Sequence, residues 1–162
     1  MGTPLIRILV VDDYEPWRRF ILRTLQQQPE LAIIGQVSDG LEAVQQAQEL
    51  QPALVLLDIG LPTLNGIEVA RRIRAVAPTS RILFVTENRS PDIAEKALST
   101  GAGGYMVKSD AASELLPALK AVLEGKRFIS ASLAGHFLVA TTVSTTQTTL
   151  LTSMAMLISG IR

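Results

Sequence analysis

Short apolar runs alternate with longer amphipathic stretches along most of the chain. The runs are rich in Ile, Leu and Val and are apolar nearly throughout, which is typical of strands buried on both faces of a parallel sheet. The predicted strands are residues 5–11, 31–37, 53–57, 81–85 and 103–107.

The segments between these runs carry apolar residues at helical spacing. Helices are predicted over about residues 15–28, after Asp39–Gly40, after Asn65–Gly66, from the Ser90 cap onward, and over 111–124. Pro117 is awkward in the last helix and is expected in about its first turn, where a missing N–H costs little. Five βα units predict an α/β fold, a doubly wound five-stranded parallel sheet with helices on both faces.

The sequence pattern changes after Gly125. The segment KRFISASLAGHFL is predicted to contain a short helix, 141–149 is a low-complexity Thr/Ser stretch, and the last residues are apolar with no clear pattern. We therefore predict one domain over 1–125 and a linker-like, partly disordered tail over 126–162.

Composition narrows the possible functions. The 162 residues have a formal net charge of zero and no cysteine, which excludes a disulfide scaffold, thiolate metal sites and a generally basic nucleic-acid-binding face. No signal peptide is recognised, and the apolar runs are far shorter than the roughly 20 residues of a membrane helix. These features fit a cytoplasmic protein without a membrane partner.

Acidic residues follow two of the predicted strands. Asp12 and Asp13 directly follow the first strand and Asp58 directly follows the third, so the three carboxylates converge if these strands are neighbours. Two like charges 4 Å apart repel by roughly 4 kcal/mol at an effective dielectric constant of 20, and a hard divalent cation such as Mg²⁺ would balance them. Lys108 and Thr86, at two other strand ends, add an ammonium and a hydroxyl. This set suits phosphoryl transfer onto Asp58.

Four motifs, VVDDYE, LLDIGLPTLNGIE, FVTEN and GYMVKS, stand in this order at predicted strand ends. Together they resemble a response-regulator receiver domain of the CheY-like type, over about residues 5–124. The IGLPTLNG loop and the ALKAVLEGKRFIS exit are similar to the NarL/FixJ (LuxR-type) group. The resemblance implies a flavodoxin-like sheet with the strand order 2-1-3-4-5.

The resemblance also implies roles for the acidic residues. Asp58 would be phosphorylated by a sensor histidine kinase, so the protein would be a signalling receiver that catalyses only its own phosphorylation and dephosphorylation. Asp12 and Asp13 would hold Mg²⁺ with Asp58 and the Gly60 backbone carbonyl.

Three further residues receive roles from the resemblance. Lys108 would contact the phosphoryl group, Thr86 would move toward it, and Tyr105 would turn inward as the aromatic switch. The face around the fourth helix and fifth strand would then bind a partner or form a homodimer.

The chain departs from the family in three places. Ser109 follows Lys108 where the family usually has a proline, and a cis bond costs much more before a non-proline residue, so the sequence leaves open whether this bond is cis or trans. Glu87 follows Thr86 where a small residue is usual, and it is expected to alter phosphorylation or dephosphorylation rates. The region after Gly125 has few basic residues and no recognisable helix-turn-helix, so direct DNA binding by this chain is not expected.

Several alternatives remain open on the sequence. Asp12 and Asp13 could simply cap the first helix, Tyr105 could be a fixed strand residue, and Trp17 is favoured as a core residue over a contact surface. Other functions are a flavodoxin-like cofactor carrier, which the DDYE loop disfavours, and a degenerate receiver used only for interaction. A phosphohydrolase is disfavoured because Gly60 occupies the position of its general acid.

Overall fold

The computed structural model describes residue 2 and residues 4–137, which fall into two compact units that divide after Ser130. The first unit is an α/β sheet domain. Its strands are β1 Ile6–Val11, β2 Leu31–Val37, β3 Leu54–Leu57, β4 Arg81–Thr86, β5 Gly104–Val107 and β6 Phe128–Ile129. Its helices are α1 Glu15–Gln26, α2 Gly40–Leu50, α3 Gly66–Val76, α4 Pro91–Leu98 and α5 Ala111–Leu123.

The strands form one parallel sheet in the order β2-β1-β3-β4-β5-β6. The α/β class and the predicted order of the first five strands are confirmed. The predicted count of five is corrected to six, because β6 adds to the β5 edge. Two residue pairs align the strands, Gly104 with Phe128 and Tyr105 with Ile129, and the Ser130 hydroxyl oxygen then accepts from Val107 N–H at 2.8 Å.

Side chains alternate between the two faces of the sheet, and both faces are covered. Ile21 and Leu25 of α1 and Leu115 and Leu119 of α5 pack in one cluster against one face. Helices α2, α3 and α4 bury residues such as Ala43, Ala47, Val69, Ile73 and Ala94. Strands β3 and β5 are buried along their whole length, because neither face of the sheet meets water there, whereas Arg7, Gln36 and Arg81 are exposed in β1, β2 and β4.

The helix ends follow the sequence closely. The side chains of Asp39, Asn65 and Ser90 accept backbone N–H bonds at the starts of α2, α3 and α4. The prediction for Pro117 is wrong, because this residue lies in the interior of α5. Pro117 and Ser113, whose carbonyl loses its helical N–H partner, are both exposed, so water can satisfy that oxygen.

The second unit begins at Ala131, and residues 131–137 are helical, as predicted for part of the KRFISASLAGHFL segment. Leu138, the Thr/Ser stretch and the apolar end lie outside the described residues. No helix in the described part of the chain has both the length and the apolarity to cross a membrane.

Candidate functional site

The carboxyl ends of β1 and β3 lie side by side, because Val11 pairs with Leu57 in the parallel register. Asp12 and Asp58, the next residue on each strand, therefore emerge together, and Asp58 N–H donates to the Val11 carbonyl at 3.0 Å. With Asp13 they offer three carboxylate oxygens that all lie within 4.8 Å of one another. The predicted convergence of the three acids is therefore present.

The ammonium of Lys108 enters this group from the end of β5. Its Nζ lies 2.6 Å from Asp12 Oδ2 and 3.4 Å from Asp58 Oδ2. The three side chains are nearly buried, with exposures of 9%, 2% and 10% for Lys108, Asp12 and Asp58. One buried cation thus faces two buried anions, while Asp13 is exposed.

Burial has the largest effect on the charge state of Asp12. Burial raises the pKa of its carboxyl above the usual value, and the charge of Asp58 adds to this, although contacts with Lys108 and the Tyr14 N–H oppose it. Its Oδ1 accepts from Tyr14 N–H at 2.8 Å. Its Oδ2 is buried and pairs with the Lys108 ammonium at 2.6 Å. Three carboxylates share this one ammonium, and the remaining negative charge on hard oxygen atoms fits a divalent cation.

The backbone around Asp58 is fixed by close packing. Asp58 Oδ1 accepts from Ile59 N–H at 2.8 Å, and Gly66 N–H donates to the Ile59 carbonyl at 2.8 Å. A Cβ at Gly66 would lie 2.0 Å from the Asp58 carbonyl oxygen, so only glycine lets α3 start this close. Gly60 is exposed, and a Cβ there would meet open space.

Thr86 and Tyr105 both contact Asn88 in the β4–α4 loop. Thr86 is buried, and its Oγ1 accepts from Asn88 N–H at 3.3 Å. Tyr105 is fully buried, and its hydroxyl donates to the Asn88 carbonyl at 2.7 Å. Burial, and secondarily the charge of Asp58, raises the pKa of Tyr105 to about 12. Asn88 therefore links the predicted switch residues.

A cavity of about 320 Å³ opens beside Lys108, and its lining includes Glu87 and Arg89. Glu87 is exposed there. Arg89 Nη2 donates to Ser109 Oγ at 2.6 Å, a bond that a proline at 109 could not make. The described residues include no cis peptide, so the Lys108–Ser109 bond, which the sequence left open, is trans.

The structure decides two of the alternatives for the first helix. Tyr14 is the N-cap of α1 and makes no side-chain capping bond, so capping by Asp12 or Asp13 is wrong. Trp17 packs against the core as favoured, but the Lys108 Nζ also lies 5.1 Å from its ring centroid. The sequence interpretation missed this contact, and its signal is an aromatic residue one helical turn after the acidic pair.

The comparisons with known proteins agree with this geometry. Residues 8–120 match the protein family described as "Response regulator receiver domain". The chain is 35% identical over 130 residues to the response regulator GacA of Pseudomonas viridiflava, covering 80% of this chain and 61% of that protein. It is 34% identical over 119 residues to BvgA of Bordetella pertussis, a putative positive transcription regulator of virulence factors, covering 74% and 56%. The chain thus spans less than two thirds of the length of these curated relatives.

Solved structures give the same result. A LuxR-family two-component response regulator from Aurantimonas sp. SI85-9A1 is 35% identical with a TM-score of 0.77, covering 81% of this chain and 94% of that one. The response regulator domain of Thermotoga maritima CheB is 32% identical with a TM-score of 0.66, covering 74% and 97%. The match over residues 8–120 decides against a flavodoxin-like carrier on the same fold. The chain belongs to the response regulator receiver family and contains the receiver domain of a two-component signalling protein.

Proposed function

We propose that Asp58 accepts a phosphoryl group from a sensor histidine kinase in a cytoplasmic, Mg²⁺-dependent signalling step. The observation that carries this proposal is the cluster of three carboxylates within 4.8 Å, faced by the Lys108 ammonium. The three carboxylates outnumber the one ammonium, so a further cation would balance the cluster. A bound cation and the Lys108 ammonium could together stabilise the negative charge of a transferred phosphoryl group.

In the transfer itself, a carboxylate oxygen of Asp58 attacks the phosphorus of the donor phosphohistidine. The new O–P bond forms as the P–N bond breaks, and the imidazole nitrogen leaves with the electron pair and takes a proton from water. The Lys108 ammonium, 3.4 Å from Asp58 Oδ2, is positioned to balance charge on the phosphoryl oxygens.

The metal ligands in this proposal are Asp12, Asp13, Asp58 and the Gly60 backbone carbonyl. Oxygen ligands of this kind suit Mg²⁺, which when bound would neutralise charge on the transferred group. The excess of carboxylates over ammonium groups supports this assignment, because a cation would balance the negative charge that Lys108 alone leaves. Asp12 also needs to be ionised to bind metal, and a bound cation would lower its raised pKa.

The switch in this proposal runs through Asn88. When the Thr86 hydroxyl donates to the new phosphoryl group and moves toward it, its contact with Asn88 N–H is lost. The Asn88 carbonyl holds the hydroxyl of Tyr105, whose ring is already buried, so movement of the loop would change this bond and would not need to bring the ring inward. The α4–β5 face would then bind a partner or a second copy, and size-exclusion chromatography with light scattering, with and without acetyl phosphate, tests the homodimer.

Incubation with acetyl phosphate and Mg²⁺, read by intact mass, tests the transfer. The wild type should gain one phosphoryl group, and Asp58→Asn should gain none. Omission of Mg²⁺ should abolish the gain in the wild type. Equal phosphorylation of the wild type and Asp58→Asn would refute Asp58 as the acceptor.

A further inference from the structure

The loop that joins β3 to α3, residues 58–65, is held at its base and at its tip. At the base, Gly66 N–H donates to the Ile59 carbonyl at 2.8 Å. At the tip, Gly40 N–H donates to the Pro62 carbonyl at 3.3 Å, and the Thr63 hydroxyl donates to Asp39 Oδ2. Gly60 lies between the two anchors, so what fixes the tip also limits where Gly60 can move.

Thr63 adopts a backbone conformation that its side chain disfavours. Its φ is +68°, in the left-handed region, where a β-branched residue costs roughly 1–3 kcal/mol and glycine costs almost nothing. Such strain persists only where the surroundings hold it. The group that Thr63 has and glycine lacks is the hydroxyl, and that hydroxyl is bonded to Asp39.

Asp39 is a fixed anchor because both of its oxygens are used. Oδ1 accepts from Leu41 N–H at 2.9 Å and from Glu42 N–H at 3.1 Å, which caps α2, and Oδ2 accepts from Thr63. The Thr63 bond is the main cause that lowers the pKa of this carboxyl. The loop also packs tightly on α2, since a Cβ at Gly40 would lie 2.2 Å from the Leu64 carbonyl oxygen.

We propose that Asp39 and Thr63 are positioning residues for the metal site. Their hydrogen bond holds the tip of the β3–α3 loop against α2, so that the loop presents Gly60 to the cation that the carboxylates bind. This inference rests on the proposed function, since it takes the Gly60 carbonyl as a ligand. It goes further because the Mg²⁺ affinity of the site would depend on two side chains that do not themselves coordinate the ion.

The test compares Mg²⁺ affinity in the wild type, Thr63→Gly and Thr63→Ser. Trp17 is the only tryptophan and lies 5.1 Å from Lys108 Nζ, so its fluorescence should respond to cation binding, and the Mg²⁺-dependent rise in Tm is the second measure. Thr63→Gly should bind Mg²⁺ roughly three- to tenfold more weakly. Thr63→Ser keeps the hydroxyl and should stay within about twofold of the wild type.

Stability without Mg²⁺ separates positioning from a merely structural role. Thr63→Gly relieves the left-handed strain and should therefore unfold at no lower urea concentration than the wild type, although it binds Mg²⁺ more weakly. In an Asp39→Ser background, which keeps a helix-capping side chain, Thr63→Gly should have no further effect on Mg²⁺ affinity.

The inference would be overturned if Thr63→Gly bound Mg²⁺ as tightly as the wild type. It would also be overturned if Thr63→Gly weakened Mg²⁺ binding as much in the Asp39→Ser variant as it does in the wild type. If Asp58 still accepts a phosphoryl group from acetyl phosphate in those proteins, the proposed function stands without it. If the wild type neither binds Mg²⁺ nor accepts a phosphoryl group, both are overturned.

Discussion

Two loops border the carboxylate site, and they are held in different ways. The β3–α3 loop is fixed mainly by backbone bonds and by close packing at Gly40 and Gly66, where an added Cβ would clash with a carbonyl oxygen, and the Thr63–Asp39 side-chain bond adds to this at its tip. The β4–α4 loop, residues 87–90, depends mainly on side-chain bonds, from Thr86, Tyr105 and Ser109. Backbone packing resists displacement, whereas side-chain bonds can exchange partners. The first loop therefore suits a fixed platform for a cation, and the second suits a switch.

The largest effect should come from overpacking the fixed loop with Gly66→Ala. The added Cβ would lie 2.0 Å from the Asp58 carbonyl oxygen, so the backbone must shift. We expect a loss of about 2–3 kcal/mol in the free energy of unfolding in urea. Gly60→Ala is the matched control, because its Cβ meets open space, and it should cost less than about 0.5 kcal/mol. Equal stability of both variants would contradict the tight packing of this loop.

A second effect concerns Tyr105 at alkaline pH. Its pKa is about 12 in the folded state and about 10 in the unfolded chain. The contribution of the neutral phenol to the free energy of unfolding is therefore complete below pH 10 and is lost as the pH rises from 10 to 12. The loss should reach about 2 kcal/mol, measured as urea midpoints against pH. Tyr105→Phe should not show this loss of stability between pH 10 and 12. Parallel curves for the two proteins would mean that the phenol is not held in its neutral form.

A smaller effect is expected at Ser109. Ser109→Ala removes the 2.6 Å bond from Arg89, an exposed contact worth roughly 0.5–1 kcal/mol. Amide hydrogen exchange should rise in residues 87–90 and stay unchanged in residues 59–66. Faster exchange in both loops would argue against their independence.

The effect of Glu87 should be confined to the rates of phosphorylation and dephosphorylation. Glu87→Ala removes an exposed carboxylate from the cavity beside Lys108, so approach of an anionic donor or an attacking water should change by roughly two- to fivefold, which is about 0.5–1 kcal/mol in the barrier. Phosphorylation by acetyl phosphate and loss of the phosphoryl group are followed by mass against time. Identical rates for both steps would refute a modulating role for Glu87.

Much of the fold follows from local sequence signals. The apolar runs identify five strands because parallel strands are buried on both faces, and Asp39, Asn65 and Ser90 mark helix starts because their side chains cap them. These features need only one segment at a time. Asp12 and Asp58 each directly follow an apolar run, but predicting that they meet also required the strand order that the family resemblance implies.

The features that were missed depend on contacts between segments. Strand β6 is two residues long, too short for a periodic signal, and is defined by its pairing with β5. Pro117 inside α5 is tolerated because its side of the helix faces water. The Thr63–Asp39 bond and the approach of Lys108 to Trp17 join residues that are far apart in sequence. A local signal, such as the spacing of Trp17 from the acidic pair, can mark one member of a pair, but it does not identify the partner.

The most direct test of the central claim is chemical trapping of the phosphorylated residue. Borohydride reduces an acyl phosphate to an alcohol, which converts aspartyl phosphate to homoserine, and peptide mass spectrometry then locates the modified position. After acetyl phosphate and Mg²⁺, we predict homoserine at position 58 alone. Homoserine at position 12 or 13, or at none of the three, would contradict the assignment of Asp58 as the phosphoryl acceptor.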